Sequence, residues 1–461
     1  MHVSLDSALG RQRRLNSVGE SVLQIAPNAA AAYSLRSLTG GDPKVVRVRR
    51  DTDNAEQDFT ASEVSSDALT SFTNADYAKY TSDFSSGDDS WGAFDDVTET
   101  GNIDGIGGLD DNLRLAIGSA TSNHRAFRSN VLPVNQKFNF SARIFIPSTN
   151  SVVDSIMIRD ASNNVIVAST TPTQDEWVTV TANNVTLTNA QLRVNLQDGG
   201  LNNFAGNGSD VIYLREVTVT QVTSDGFVDT WYDQSGNNRP LIQTTASEQP
   251  LIVEAGTFLN GVKSNKATSN DTMQNLQVST DGTNANFGTD DWASGASSKL
   301  GAVYVGTVPA DSVVSTSSNA VIWGGGRAVS SFQSGGVSLQ VIKAGNDNWK
   351  IVNERQGLSP STMLNATSLN TDADVILYGT TDNREFTINV NGSGDTETES
   401  ADLDVREDTP LSLFGAYASG ANRYYQRSSG GVCKECYLYA GDSVANVPAL
   451  ATSINAHYSI Y

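Results

Sequence analysis

FVDTWYDQSGNNRPLIQTT, residues 227–245, leads through an aromatic pair into an Asp-Gln-Ser-Gly-Asn-Asn break, after which β-favouring residues resume. Alternation puts Trp231 and Tyr232 on opposite faces of a strand, so one packs between sheets and the other lies toward the surface. Asp, Ser and Asn at 233–238 favour a turn stitched by side-chain to backbone hydrogen bonds. The stretch therefore reads as a structural corner of a β-sandwich. A second reading keeps an exposed aromatic beside Asp233, Asn237 and Arg239 as a platform for a sugar ring.

Working outward, short apolar strands punctuated by turn residues recur along the chain, which is the pattern of β-sandwiches. KVVRVRRD, GAVYVGTV, SLQVIKAG, WKIVNE and CYLYA are examples, and DVILYGTTDNREFTINVNG reads as a hairpin about Asp382-Asn383. Helical spacing is confined to residues 5–25, which carry Arg11, Arg13 and Arg14, and to the closing VANVPALATSINAHYSIY. Residues from about 69 to 222 form a self-contained strand series with aromatics of its own, Trp91, Phe140, Phe145, Trp177 and Tyr213. Its flanks join with little loss of pattern, so it is expected to be a second sandwich inserted into a loop of the first. The expected division is 1–24 as a helical attachment segment, 25–68 with 223–461 as a discontinuous sandwich, and 69–222 as the insert.

The chain has 461 residues, a net charge of −21, two cysteines and three histidines. That charge argues against nucleic acid and anionic membranes, both of which call for a basic face. No apolar run has the length of a membrane span. The first residues lack an apolar signal core, so release by lysis is expected rather than secretion. The scattered histidines suit neither a zinc site nor a catalytic triad.

Three stretches invite chemistry. Asp395, Glu397 and Glu399 have the alternate spacing of a glycosidase carboxylate pair, but their polar surroundings read as a solvated, charged sheet edge. Cys433 and Cys436 form a single pair where zinc wants four ligands. On a regular strand they point to opposite faces, and buried small apolar residues are the expectation. Asp104, Asp110 and Asp111 in NIDGIGGLDDN could hold a structural calcium ion, the one cofactor the sequence suggests, although an ordinary solvated turn is favoured.

AAAAYSLRSL (29–38), VVRVRRDTDNAEQDFTASE (45–63), DGFVDTWYDQSGNNRPLIQTT (225–245), EQPLIVEAG (248–256) and the ending GGVCKECYLYAGDSVANVPALATSINAHYSIY resemble the concanavalin A-like (laminin-G-like) sandwich of tailed-bacteriophage virion proteins, notably marine and cyanobacterial ones. The insert, through DFSSGDDSWGAF, TGNIDGIGGLDDNLRL, VVDSIMIRD and AGNGSDVIYLREVTV, is similar to jelly-roll, carbohydrate-binding-like modules of such proteins. The resemblance implies an all-β fold, a concanavalin A-like sandwich interrupted by a jelly roll, with short terminal helices. It implies a non-enzymatic virion protein of a tail fibre or appendage that adheres to host-surface glycans. Its N-terminal segment would dock to other virion proteins, and the chain would form homo-oligomers, a trimer among them. The alternatives are a capsid decoration or adaptor without a ligand, and a glycan-cleaving fibre enzyme, since WYDQSGN also occurs in arabinofuranosidase sandwiches. Glycan-binding candidates are Trp231, Tyr232, Asp233, Asn237 and Arg239 in the first sandwich, with Trp91, Asn112, Arg114, Arg125 and Asp198 in the insert.

Overall fold

The computed structural model describes residues 21–263, 276–278, 299–307, 319–325, 337–343, 349–354, 365–366, 373–382, 385–398, 412–413 and 431–461. Most of residues 1–24, where the attachment helix was expected, and Glu399 of the acidic triplet lie outside them. The protein is all-β, built of stacked antiparallel sheets with a few short helices. It divides into two compact units. One comprises the described parts of Met1–Thr70, Gly226–Glu254 and Phe258–Tyr461, the other Ser71–Asp225 with Ala255–Thr257.

In the first unit the earliest strand among the described residues, Ala31–Ser34, pairs with the last, Val432–Ala440, with Ser34 opposite Glu435. Val432–Ala440 also pairs with Lys299–Thr307, which continues to Asp374–Asp382, Glu385–Val390 and Ser393–Thr398. A second run links Glu56–Thr60, Lys44–Arg50 and Gly226–Trp231. The C-terminal helix Val447–Tyr458 has proline in its first turn, where no N–H is needed. It buries Val447, Leu450, Ala451 and Ile454, a stripe at helical spacing, against Val303, Val305, Ile376, Tyr437 and Tyr439.

Beneath that helix sits a charged group. The Glu435 carboxylate, wholly buried, accepts hydrogen bonds from Ser34 Oγ (3.0 Å), Tyr437 Oη (2.6 Å), Tyr458 Oη (2.9 Å) and the Arg36 guanidinium. A buried carboxylate is tolerated only when its lone pairs are matched in this way. Burial, and then the Glu435 charge, push the Tyr437 and Tyr458 hydroxyls well above their ordinary range. The cluster ties the first strand, the last strand and the helix together.

The same last strand corrects the reading of the cysteines. Glu435 lies opposite Val305 but Cys433 lies opposite Gly306, so the strand carries one extra residue, a β-bulge at Lys434. The bulge cancels the alternation that would have separated residues three apart. Both thiols are free and wholly buried, and burial pushes the Cys436 thiol up, helped by a hydrogen bond with Cys433.

The second unit is a sandwich of two facing sheets. One has Trp177–Thr186, Lys137–Phe145, Val211–Gln221, Asn112–Ile117 and Val97–Ile103 in that order, with Tyr77–Ser82 also paired to Val211–Gln221. The other runs Val165–Thr170, Ser155–Asp160, Leu192–Gln197, Arg125–Arg128, Gly92–Phe94. Alternating residues such as Ile144, Ile212 and Leu214 from the first and Ile156, Ile158 and Val194 from the second fill the space between. Their neighbours along each strand are thereby turned outward, and those outward rows carry the chemistry.

Candidate functional site

The corner at 231–239 is committed to the fold. Trp231 is wholly buried and tilts against Tyr33 at 6.1 Å, so it has no face for a sugar. Burial on the inner side of the strand is the physical reason, and it removes this residue from the glycan-binding candidates. Tyr232 points the other way, half-buried, and donates to Asp58 Oδ1 at 2.8 Å. Burial and that bond push its hydroxyl up to about 12. The Asp233 carboxylate accepts from Ala32 N (2.9 Å), Ser235 N (2.9 Å), Ser235 Oγ (2.8 Å) and Arg239 N (3.0 Å). Asn237 Nδ2 donates to the Ala29 and Ala30 carbonyls, and Arg239 Nη1 to Ala30 O. These groups hold the turn to the first strand.

The outer face of the six-stranded sheet is different. Register aligns Trp177, Phe145, Tyr213 and Arg114 in one row across four strands. Phe145 lies 5.5 Å from Trp177 and 6.2 Å from Tyr213, both in tilted or edge geometry, so the rings form a continuous aromatic band. Trp177 and Tyr213 are partly exposed, whereas Phe145 between them is buried. Arg143 and Arg215 place their guanidinium carbons 5.8 and 5.7 Å from the Trp177 ring.

Glu216 closes the constellation. Ser141 pairs with Thr218 and Arg143 with Arg215, so the long strand has an extra residue here. Within that bulge Glu216 has a φ of +50°, a left-handed conformation that costs a non-glycine residue about 1–2 kcal/mol. Its carboxylate lies 2.9 Å from Arg215 Nη2 and 3.7 Å from Arg143 Nη1. Each of these pairs at a half-exposed carboxylate contributes about 0–1 kcal/mol, so together they offset part or all of the backbone cost.

A loop leans over the band. Trp177 Nε1 donates to Ile106 O at 2.9 Å, and Arg215 Nη1 to Asp110 O at 3.2 Å. Gly107, at φ +56°, passes so close that a Cβ there would lie 2.8 Å from Trp177 Nε1. At the base of the loop the wholly buried Asn112 donates to Ile103 O (2.7 Å) and Leu109 O (2.8 Å). Asn112 thus fastens the loop instead of reaching a ligand.

No family model matches the chain, and no curated protein does. Among solved structures, the CBM22-1 xylan-binding domain of Xyn10C from Paenibacillus barcinonensis is 15% identical over 32% of this chain and 97% of that one, with a TM-score of 0.26. The CBM22-1–CBM22-2 tandem of the same enzyme is 10% identical over 80% and 98%, at 0.29. The enzymatically active domain of tailspike protein 2 from bacteriophage CBA120 is 14% identical over 40% and 26%, at 0.28. TM-scores this low fall short of a shared fold, so the site rests on its own geometry.

The remaining candidates scatter. Trp91 is core, tilted on Phe84 with Nε1 donating to Tyr80 Oη at 3.1 Å, and so offers no platform. Asp198 sits in a tight turn bridged to Leu201. Asp110 and Asp104 accept backbone N–H groups of Gly105 (3.0 Å) and Asp111 (3.3 Å) inside the leaning loop. Among the described residues no group of three or more His, Cys, Asp or Glu side chains is arranged to hold a metal ion. Arg114 lies in the aromatic row, and Arg125 lies on the opposite sheet. Trp177, Tyr213, Arg143, Arg215 and Glu216 were not singled out from sequence as site residues. The alternation of NFSARIF and IYLRE does carry the signal, since both strands place aromatic and Arg on one face.

Proposed function

We propose that this chain is a glycan-binding protein whose ligand face is the row Trp177, Tyr213 and Arg114, backed by the buried Phe145 and rimmed by Arg143, Arg215 and Glu216. The observation that carries the reading is the Glu216 bulge, which sets two arginines beside an aromatic band. Saccharides are bound by flat rings together with fixed planar hydrogen-bonding groups, and this row supplies both. Weak individual sites gain from multiplicity, which fits a homo-oligomeric adhesin on a bacteriophage tail fibre or appendage. The N-terminal segment would then attach it to other virion proteins. Binding rather than hydrolysis is favoured because the carboxylate at the band is engaged with two arginines.

The test is a glycan panel probed with the full chain and with Trp177→Ala and Tyr213→Ala. A parent that binds at least one glycan, and variants about tenfold weaker or worse, support the reading. Equal binding by parent and variants would sink it. Gold-antibody labelling of intact particles tests the virion placement separately, and absence of label would remove it while leaving the glycan site standing.

A further inference from the structure

The other sheet of the insert presents a second outward face. Ile156, Ile158, Val194 and Ala126 point into the core, so the alternate residues of their strands point away from it. Register then lays out two adjacent rows. Met157, Asn195, Arg125 and Phe94 form one, and Arg159, Arg193, Phe127 and Gly92 the other. Three guanidiniums are thereby gathered on one face of a chain whose net charge is −21.

Their counter-charges do not match them. Arg125 is paired with Asp95 at 2.8 Å. Among the described residues neither Arg159 nor Arg193 has an ion-pair partner; Arg159 Nε donates to Asn195 Oδ1 (3.1 Å) and Arg193 Nε to Gln191 Oε1 (2.7 Å). The nearby Asp160 carboxylate is taken up by Ser162 N, Asn164 N and Asn164 Nδ2, each at 2.8 Å. Burial, with repulsion from Arg125, pulls the Arg159 and Arg193 guanidiniums below their ordinary range. Like charges held together in this way are a standing cost that an anion would relieve.

Two further observations point outward from the protein's own needs. Asn195 is wholly buried, yet its Nδ2 has no hydrogen-bond partner, and neither does the buried Nε of Arg125 beside it. Unmatched buried donors are rare, and here they are gathered with three arginines. At the end of the same row Phe94, 40% exposed, stacks on Phe127 at 4.3 Å and 21°. Gly92 makes room for that stack, since a Cβ there would lie 2.7 Å from the Phe127 ring. An anion-binding corner therefore adjoins a partly exposed aromatic ring, over which the Arg125 guanidinium also lies, at 5.4 Å.

We propose that Arg125, Arg159, Arg193 and Asn195, with Phe94 as a stacking surface, form a site for a saccharide bearing a carboxylate or sulfate group. Guanidinium forks match both oxyanions, and the exposed ring accepts the apolar face of a sugar. The chain's overall negative charge does not forbid this, because screening confines its field to about 8–10 Å in physiological salt. The site uses none of the residues of the Trp177 band, so the two readings can fail separately.

The experiment measures binding of a galacturonate oligosaccharide, its methyl-esterified counterpart and a sulfated galactan oligosaccharide to the full chain. Parent, Arg159→Gln, Arg193→Gln and the control Lys79→Gln are compared at two salt concentrations. The expected result is binding of at least one acidic probe, weakened about tenfold by either Arg→Gln variant and by added salt, and unchanged in Lys79→Gln, which removes an exposed cation outside both sites. Preference between the first and third probes separates carboxylate from sulfate. If a Gln variant does not fold, Arg193→Lys keeps the charge while losing the two-pronged donor, and weaker binding is again expected. Equal binding of the acidic and esterified probes, no binding of either acidic probe, or Arg variants that bind as the parent does, would overturn the proposal.

Discussion

Replacing Glu435 by glutamine keeps the shape of a buried side chain and removes its charge. Four residues, Ser34, Arg36, Tyr437 and Tyr458, donate to that carboxylate. Each hydrogen bond to a charged group contributes about 1.5–3 kcal/mol on its own, but four donors on one carboxylate do not add. The better guide is the cost of removing one partner of a buried pair, about 3–5 kcal/mol. The new amide must also turn N–H groups toward donors; the tyrosine hydroxyls can rotate to accept, whereas Arg36 cannot. In a unit of this size such a loss lowers the melting temperature by on the order of 10 °C. Heat and urea unfolding, followed by near-ultraviolet circular dichroism, would measure it. Arg36→Met combined with Glu435→Leu serves as the control, because removing both charges is expected to recover part of the loss. A loss below about 1 kcal/mol for Glu435→Gln, the figure for solvated pairs, would refute the claim that this carboxylate is held dry by its four partners.

Asp233→Asn puts an N–H group among four donors and is expected to destabilise the first unit by about 2–4 kcal/mol, read from the urea midpoint; a neutral result would mean that the corner is not stitched by this carboxylate. Tyr33, Tyr304 and Tyr437 are buried with hydroxyls pushed above their ordinary value. A folded-state pKa raised above the unfolded one stabilises fully below about pH 10 and is lost as pH rises beyond it. Urea midpoints should therefore hold to about pH 9.5 and then fall, and a flat profile to about pH 11 would contradict the burial of these groups. Cys433 and Cys436 should resist a thiol reagent in the native protein and react on unfolding, whereas rapid native labelling would show that the last strand opens locally.

The all-β class was legible because strand signals are local. KVVRVRRD becomes Lys44–Arg50, and the two strands of the proposed hairpin pair with Asp382 opposite Glu385, while Asn383 of its turn lies outside the described residues. The corner was legible for the same reason: Asp, Ser and Asn bond to neighbouring backbone, a rule that needs only adjacent residues. What sequence did not reveal depends on register between strands far apart in the chain. Arg143 meets Arg215 only because of the bulge that carries Glu216, and Cys433 joins the face of Cys436 only through the bulge at Lys434. A bulge shifts every subsequent side chain to the other face, and nothing in the flanking residues announces it. Trp91, Trp177 and Trp231 look alike in sequence, yet two are core and one lines a band. Asn112 carries an amide of the kind sugars favour, yet it is the clasp of a loop.

The pairing of Ala31–Ser34 with Val432–Ala440 has a consequence for synthesis. Ser34 and Glu435 stand 401 residues apart. At about 5–20 residues per second, the first strand waits on the order of half a minute or more for its partner to leave the ribosome. During that time its neighbour Lys44–Arg50 can already pair with Glu56–Thr60, but the edge that Val432–Ala440 will occupy stays open. The insert meets no such delay: its outermost strands lie wholly between residues 77 and 221 and pair with each other. It can complete its sandwich while the surrounding one is still unfinished. The alanine-rich first strand, AAYS, is then the segment that must avoid foreign strands the longest.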